Sequence, residues 1–205
     1  MLSLVVNDRT HQVSGETMGD ILRLAVGQLN KGQVISRVIV DGKEQAKFTD
    51  EEFLSTLTGV TAEVRVECEQ VKELILNGLE QEKRFLTELL KEMPAIALGF
   101  RKSEAAPAAE KLGVLAEGLK TLVQLLQGVA SFFPQANASF RFRGEDLQTH
   151  LIRFSKTLEA LNKAQTQVDF VMLADVLEYE LSEELGRWVE LLADLREVVR
   201  GSEEP

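Results

Sequence analysis

Hydrophobic positions change their spacing along this chain near residue 70. Before that point they fall in short β-like runs: LSLVVN at 2–7, THQVS at 10–14, VISRVIVDG at 34–42 and AEVRVEC at 62–68. In the last run Val64, Val66 and Cys68 alternate with Glu63, Arg65 and Glu67, the pattern of a strand with one buried face. The same alternation predicts a buried Cys68 thiol. Asn7-Asp8-Arg9 suits a tight hairpin and Asp41-Gly42 is a strong turn signal, because Asn, Asp and Gly accept the backbone that such turns need. One amphipathic helix interrupts the strands. Thr17 caps it, Asp20 completes a short capping box, Ile21, Leu22, Leu24, Ala25 and Leu29 form its apolar face, and Gly32 marks its end. A second short helix is expected after Thr49, with Glu51 and Glu52 in the first turn, where the helix dipole favours acids.

From residue 71 onwards the apolar residues recur at three- and four-residue steps. Val71, Leu74, Ile75, Leu79, Phe85, Leu86, Leu89, Leu90 and Met93 outline a helix that Pro94 is expected to kink or end. RKSEAAPAAE at 101–110 reads as a linker, with Pro107 in the first turn of the next helix. That helix carries a clean stripe from Leu112 through Leu115, Leu119, Leu122, Val123 and Leu126 to Phe133, and is expected to stop at Pro134. A loop follows to about Gly144. A third helix places Leu147, Leu151, Phe154, Leu158 and Leu161 on one face, and a fourth begins at residue 168. Four one-striped helices joined by short links predict an antiparallel up-down bundle.

The order strand, strand, helix, strand, short strand, short helix, strand over residues 1–69 resembles the ubiquitin-like β-grasp arrangement. That likeness rests on element order and loop lengths. The chain runs on through Cys68 into a helix and has no terminal Gly-Gly there, so a role as a conjugated modifier is not expected. The expected fold class is therefore α+β. A small β-grasp-like sheet domain occupies 1–69, an antiparallel bundle of about four helices 70–201, and a frayed tail 202–205. A second likeness is narrower: VKELILNGLEQEKRFL at 71–86 resembles the opening helix of flagellar export chaperones.

Composition removes several functions from the picture. The 205 residues are 44% hydrophobic and 27% charged, enough to bury a core without metals or crosslinks. The net charge is −10, and neither part is basic: residues 1–69 carry 11 acids and 7 bases, the remainder 22 and 16. Nucleic acid is therefore not an expected partner. The opening MLSLVVNDRT has no basic segment and only a short apolar run, unlike a signal peptide. No stretch is long and apolar enough to predict a membrane span, and no membrane association is expected. A lone cysteine suits a reducing, cytoplasmic setting.

The closest approach to a chemical signature is VDFVMLADVLEYELSEELGRW at 168–188. On a helical wheel Phe170, Leu173, Leu177, Leu181, Trp188, Leu192 and Leu195 form one seam, and Glu178, Glu180, Glu183, Arg187, Glu190, Asp194 and Arg196 fall mainly outside it. Those acids are expected in solvent. A carboxylate-bridged metal bundle would need inward Glu-x-x-His motifs; the chain holds only His11 and His150, neither in that context. No metal, no cofactor and no catalytic residue is assigned. One position differs: Asp175 lies opposite the seam among Val168, Val171, Met172 and Tyr179. A helix apolar on two sides needs a second cover, so these five residues form the candidate interaction surface, with Asp175 placed to accept a hydrogen bond or pair with a base.

Two other stretches invite chemistry. SFRFRG at 139–144 alternates Phe140 and Phe142 with Arg141 and Arg143, which suits base stacking or, more ordinarily, rings tucked over a core end with arginines in water. His150 is expected at the helix surface or its boundary. The function expected from the whole is an interaction or assembly module without catalysis, its partner another protein or a second copy of itself. An export or assembly chaperone, and an enzyme using Asp175, Tyr179 or His150 in a cleft between head and bundle, are the alternatives.

Overall fold

The computed structural model describes residues 1–102 and 105–203, and the chain divides into two compact units, Met1–Leu74 and Ile75–Glu203. The first is a five-stranded sheet in the order β2-β1-β5-β3-β4, built from β1 (Leu2–Val6), β2 (Arg9–Val13), β3 (Gln33–Val40), β4 (Lys43–Glu44) and β5 (Glu63–Gln70). β1 and β5 run parallel; the other pairs are antiparallel. Helix α1 (Met18–Val26) shares a core with the sheet, in which Leu4, Ile21, Val38, Val64 and Val66 are fully enclosed. A short α2 (Glu51–Leu54) follows, with Glu51 and Glu52 in its first turn.

Local chemistry accounts for most of this unit. Asn7 and Asp8 both take positive φ (44° and 66°), as do Asp41 and Gly42 (46° and 78°), so each hairpin turns in two residues with the twist its strands require. The turn side chains also reach across the sheet. Asp41 Oδ1 accepts from the amides of Ala62 (3.1 Å) and Glu63 (2.9 Å), and Asn7 Oδ1 accepts from that of Cys68 (3.2 Å). Thr17 and Asp20 form the capping box in both directions, and the Thr17 backbone and hydroxyl hold the Asp20 carboxyl below its usual range.

Two details differ from expectation. α1 stops at Gly27 rather than Gly32, because Gly32 (φ 75°) is used for the turn into β3, where its carbonyl receives the amide of Val71. Cys68 is half-buried rather than buried, being near the end of β5; partial burial pushes its thiol up.

The second unit is helical. α3 (Val71–Arg101) crosses from the first unit into the second, and is followed by α4 (Ala105–Phe132), α5 (Pro134–Ser139), α6 (Leu147–Thr166), α7 (Phe170–Asp175) and α8 (Ser182–Gly201). Residues Val176–Leu181 between the last two form a π-helical segment. Pro94 does not end α3. Its missing amide costs about 3 kcal/mol, while Met93, Ile96, Ala97 and Phe100, beside and beyond it, are all buried and each recovers a comparable amount, about 1.5–3 kcal/mol for the larger ones.

The expected linker at 101–110 is shorter than its composition suggests, since α3 keeps Arg101 and α4 begins at Ala105; residues 103 and 104 lie outside the described residues. Pro134 ends α4 as expected but also opens α5, which occupies the first half of the expected loop. Within the tail expected to fray, Ser202 Oγ bonds back to the Val198 carbonyl at 2.8 Å; residues 204 and 205 lie outside the described residues.

The π-helical segment has a visible cause. Leu173, Leu177, Leu181 and Leu185 are buried, separated by three successive four-residue steps. At roughly 100° per residue, an α-helix would carry such a row about 40° sideways at each step. A wider turn keeps the row in line, after which Trp188, Leu192, Leu195 and Val199 return to the ordinary spacing. Ser182 Oγ donates to the Leu177 carbonyl at 2.8 Å, occupying an acceptor that the wider turn frees. Among the described residues no helix is long and apolar enough to cross a membrane.

Candidate functional site

The fourth helix begins two residues later than the sequence suggests. α6 ends in a Schellman motif: Asp169 N donates to Ala164 O (3.0 Å) and Val168 N to Gln165 O (3.1 Å). Val168 occupies the left-handed position at φ 54°, where glycine is the usual residue and a β-branched side chain is strained. Asp169 then caps α7, accepting the Met172 amide at 2.9 Å. The chain therefore turns a corner at Val168 and presents α7 with its apolar seam inward.

Leu173, Leu177, Leu181, Trp188, Leu192 and Leu195 are buried, as the wheel requires, while Phe170 is partly exposed. The opposite face remains open within this chain. Val168, Val171 and Tyr179 are 64%, 64% and 62% exposed, Met172 is half-buried and Asp175 is exposed. Asp175 has a base as its partner, and that base comes from far along the chain. Arg101, at the end of α3, donates through Nη2 to Asp175 Oδ1 at 2.7 Å and through Nη1 to Glu178 Oε2. One turn earlier on α3, Leu98 is exposed, and Phe100 stacks on Phe170 with ring centroids 5.9 Å apart. The surface is thus an apolar fringe around a three-membered ion cluster, backed by the buried Phe100, and its Arg101 and Leu98 portion is absent from the sequence reading. A pairing across 74 residues leaves no local signal.

A second polar cluster lies around His150. Phe142 and Glu145 exchange backbone hydrogen bonds around a two-residue turn, Arg143-Gly144, both with positive φ. His150 is buried at 3% exposure, not at the helix surface, because this turn folds over it. Its Nε2 lies 3.1 Å from the Phe142 carbonyl, which can only accept, so that nitrogen carries the proton. Phe140 and Phe142 are buried, and Arg141 and Arg143 are exposed.

Three arginines line the adjoining cleft of about 450 Å³, and each meets a carboxylate. Arg143 pairs with Glu190 (2.6 Å), Arg153 with Glu145 (2.7 Å), and Arg187 with Glu184 (2.5 Å) and Glu183. Glu184 is buried, unlike the other acids of α8's outer face, and Arg187 compensates it. This balanced network joins α6, α8 and the 142–145 turn. His150 belongs to it, bonding Phe142 and approaching Glu145, whereas Asp175 is bonded by Arg101. Among the described residues no three His, Cys, Asp or Glu side chains converge as a metal ion would require.

Residues 77–191 match the family described as a domain of unknown function, DUF8042. The chain belongs to that family. The DUF8042 match covers more than half the chain, beginning within α3 and ending within α8, so it contains Arg101, the whole 168–179 surface and the His150 network. No curated protein and no solved structure matches the chain.

Proposed function

We propose that this DUF8042 chain is a protein–protein interaction or assembly module. Its docking face is formed by Val168, Val171, Met172, Asp175 and Tyr179, and its partner is another protein with an apolar segment flanked by basic residues. The observation that carries this reading is three large apolar side chains left more than half exposed within twelve residues, beside an ion cluster that fixes their backbone. Two departures from regular geometry sit at the same place, the left-handed valine and the π-helical segment, and such departures concentrate at working surfaces. Charge favours a foreign partner over a second copy. Residues 168–181 contain Asp169, Asp175, Glu178 and Glu180 and no base, so a two-fold contact through this face would oppose acid to acid. The ubiquitin-like reading of the head is part of the proposal; the parallel β1–β5 pair, flanked by antiparallel strands and sharing a core with α1, supports it.

The test is a photo-crosslinking residue at position 171 of the full chain, in its native cells. Crosslinks should converge on one foreign protein, weaken as salt is raised, and fall at least tenfold with Tyr179→Asp. Light scattering should give a monomer. Crosslinks chiefly to a second copy would overturn the foreign partner, and diffuse crosslinking unaffected by Tyr179→Asp would overturn the surface.

A further inference from the structure

Among the described residues one buried side-chain oxygen has no hydrogen-bond partner, Oε1 of Glu82. Glu82 is 4% exposed in the middle of α3, between Leu79 and Leu86, which are fully buried. Among the described residues no opposite charge compensates it. Glu80 and Lys83 on the same helix bind each other at 2.8 Å, and Arg196 of α8 bonds the Leu76 carbonyl and approaches Glu80. On α8 the buried Glu184 is taken by Arg187; Glu117 and Lys120 of α4, and Lys156 and Glu159 of α6, are exposed. Burial alone acts on the Glu82 carboxyl, and pushes it from the ordinary 4.5 to about 7.

The location matters because Glu82 shares a face of α3 with Gly78 and Phe85, the residues that meet α4. A Cβ on Gly78 would fall 2.4 Å from Leu125, and one on Gly118 would fall 2.0 Å from the Phe85 ring. Here α3 and α4 are in close contact, and Glu82 stands between the two contacts, level with Leu122. On its other side α4 faces α6. Two clefts of about 440 and 280 Å³ separate it from α6, the first reaching Val123 and Leu151, the second Leu115 and Leu158. The seam between α3 and α4 therefore contains the unpaired acid.

We propose that Glu82 makes the α3–α4 seam proton-dependent, with α4 seated while the carboxyl is protonated and released to hydrate it once the proton is lost. A neutral carboxyl is tolerated in an apolar seam; an unpaired carboxylate is not. The direction follows from the two environments. Below pH about 4.5 the group is protonated whether the seam is closed or open, and pH has no effect. Between about 4.5 and 7 only the open form ionises, so opening becomes easier by up to tenfold per pH unit. Above about 7 both forms are ionised and the dependence levels off, after a total change of roughly 300-fold.

Hydrogen exchange on the full chain from pH 4 to 9, corrected for the chemical rate, tests this helix by helix. Protection of α4 should fall by up to about 300-fold between pH 4.5 and 7, while the interior of α8 loses much less. In Glu82→Gln the α4 protection should be flat with pH and higher than wild type at pH 8. Should Glu82→Gln lose its fold, Glu82→Met gives the same readout. An unchanged wild-type profile, a slope that survives in either variant, or an equal loss in α8 would each overturn the proposal.

Discussion

The sheet unit and the helical unit of this protein satisfy their polar groups in different ways. In the sheet unit the turns and the helix cap have local solutions, although Asn7 and Asp41 also bond across the sheet: Thr17 and Asp20 cap each other across three residues, and both hairpins turn on residues suited to positive φ. In the helical unit the decisive contacts are distant or incomplete. Arg101 reaches 74 residues to Asp175, Val168 holds a position that glycine would occupy without strain, and Glu82 has no partner for one oxygen. Conflicts between local preference and overall fold gather where a protein accepts cost for some other purpose. The DUF8042 match lies within the helical unit, where these conflicts gather.

The contrast can be broken most directly at Trp188, which is fully buried and packs against Phe154 with ring centroids 5.5 Å apart. Trp188→Ala should cost the helical unit about 3–5 kcal/mol, read by urea unfolding, with exchange protection of β1 and β5 little changed. Equal loss in the sheet would mean that the two units melt as one body. A smaller effect is expected from Thr17→Ala, which removes the hydroxyl half of the capping box and leaves the backbone amide of residue 17 bonded to Asp20. It should destabilise the sheet unit by about 0.5–2 kcal/mol and leave α8 protection unchanged.

The smallest effect has the opposite sign. Val168→Gly should stabilise the helical unit by up to about 1 kcal/mol, the relief at the left-handed position being offset in part by glycine's greater freedom when unfolded. Because Val168 belongs to the proposed docking face, the same change should weaken partner crosslinking. A variant both more stable and better at binding would remove the reason for retaining valine.

The features legible in the sequence were those with local causes. Thr17–Asp20, Asp41-Gly42 and the Val64–Val66 alternation each announce their structure within a few residues. Gly32 and Pro94 were misleading for the complementary reason: a residue that suits a helix end also suits the start of a strand, and burial beyond Pro94 outweighs its local cost. His150 is buried by a turn that only the folded chain brings over it. The candidate surface was legible as five residues of one helix face, whereas its arginine was not, since nothing near residue 101 refers to residue 175. The π-helical segment did leave a trace in three consecutive four-residue leucine steps, which a wheel drawn at a single angle smooths away.

That widened turn has a consequence for how the family can vary. Residues before Val176 and after Leu181 keep their faces only because the backbone between them holds one residue more than a regular helix would. Deleting a single residue there would close the wide turn into a regular helix and keep Trp188 and Leu192 in register, whereas losing a second residue would rotate the remainder of α8 by about 100°. In this segment one residue can therefore be lost by closing the wide turn, whereas the loss of a second puts all of α8 out of phase at once.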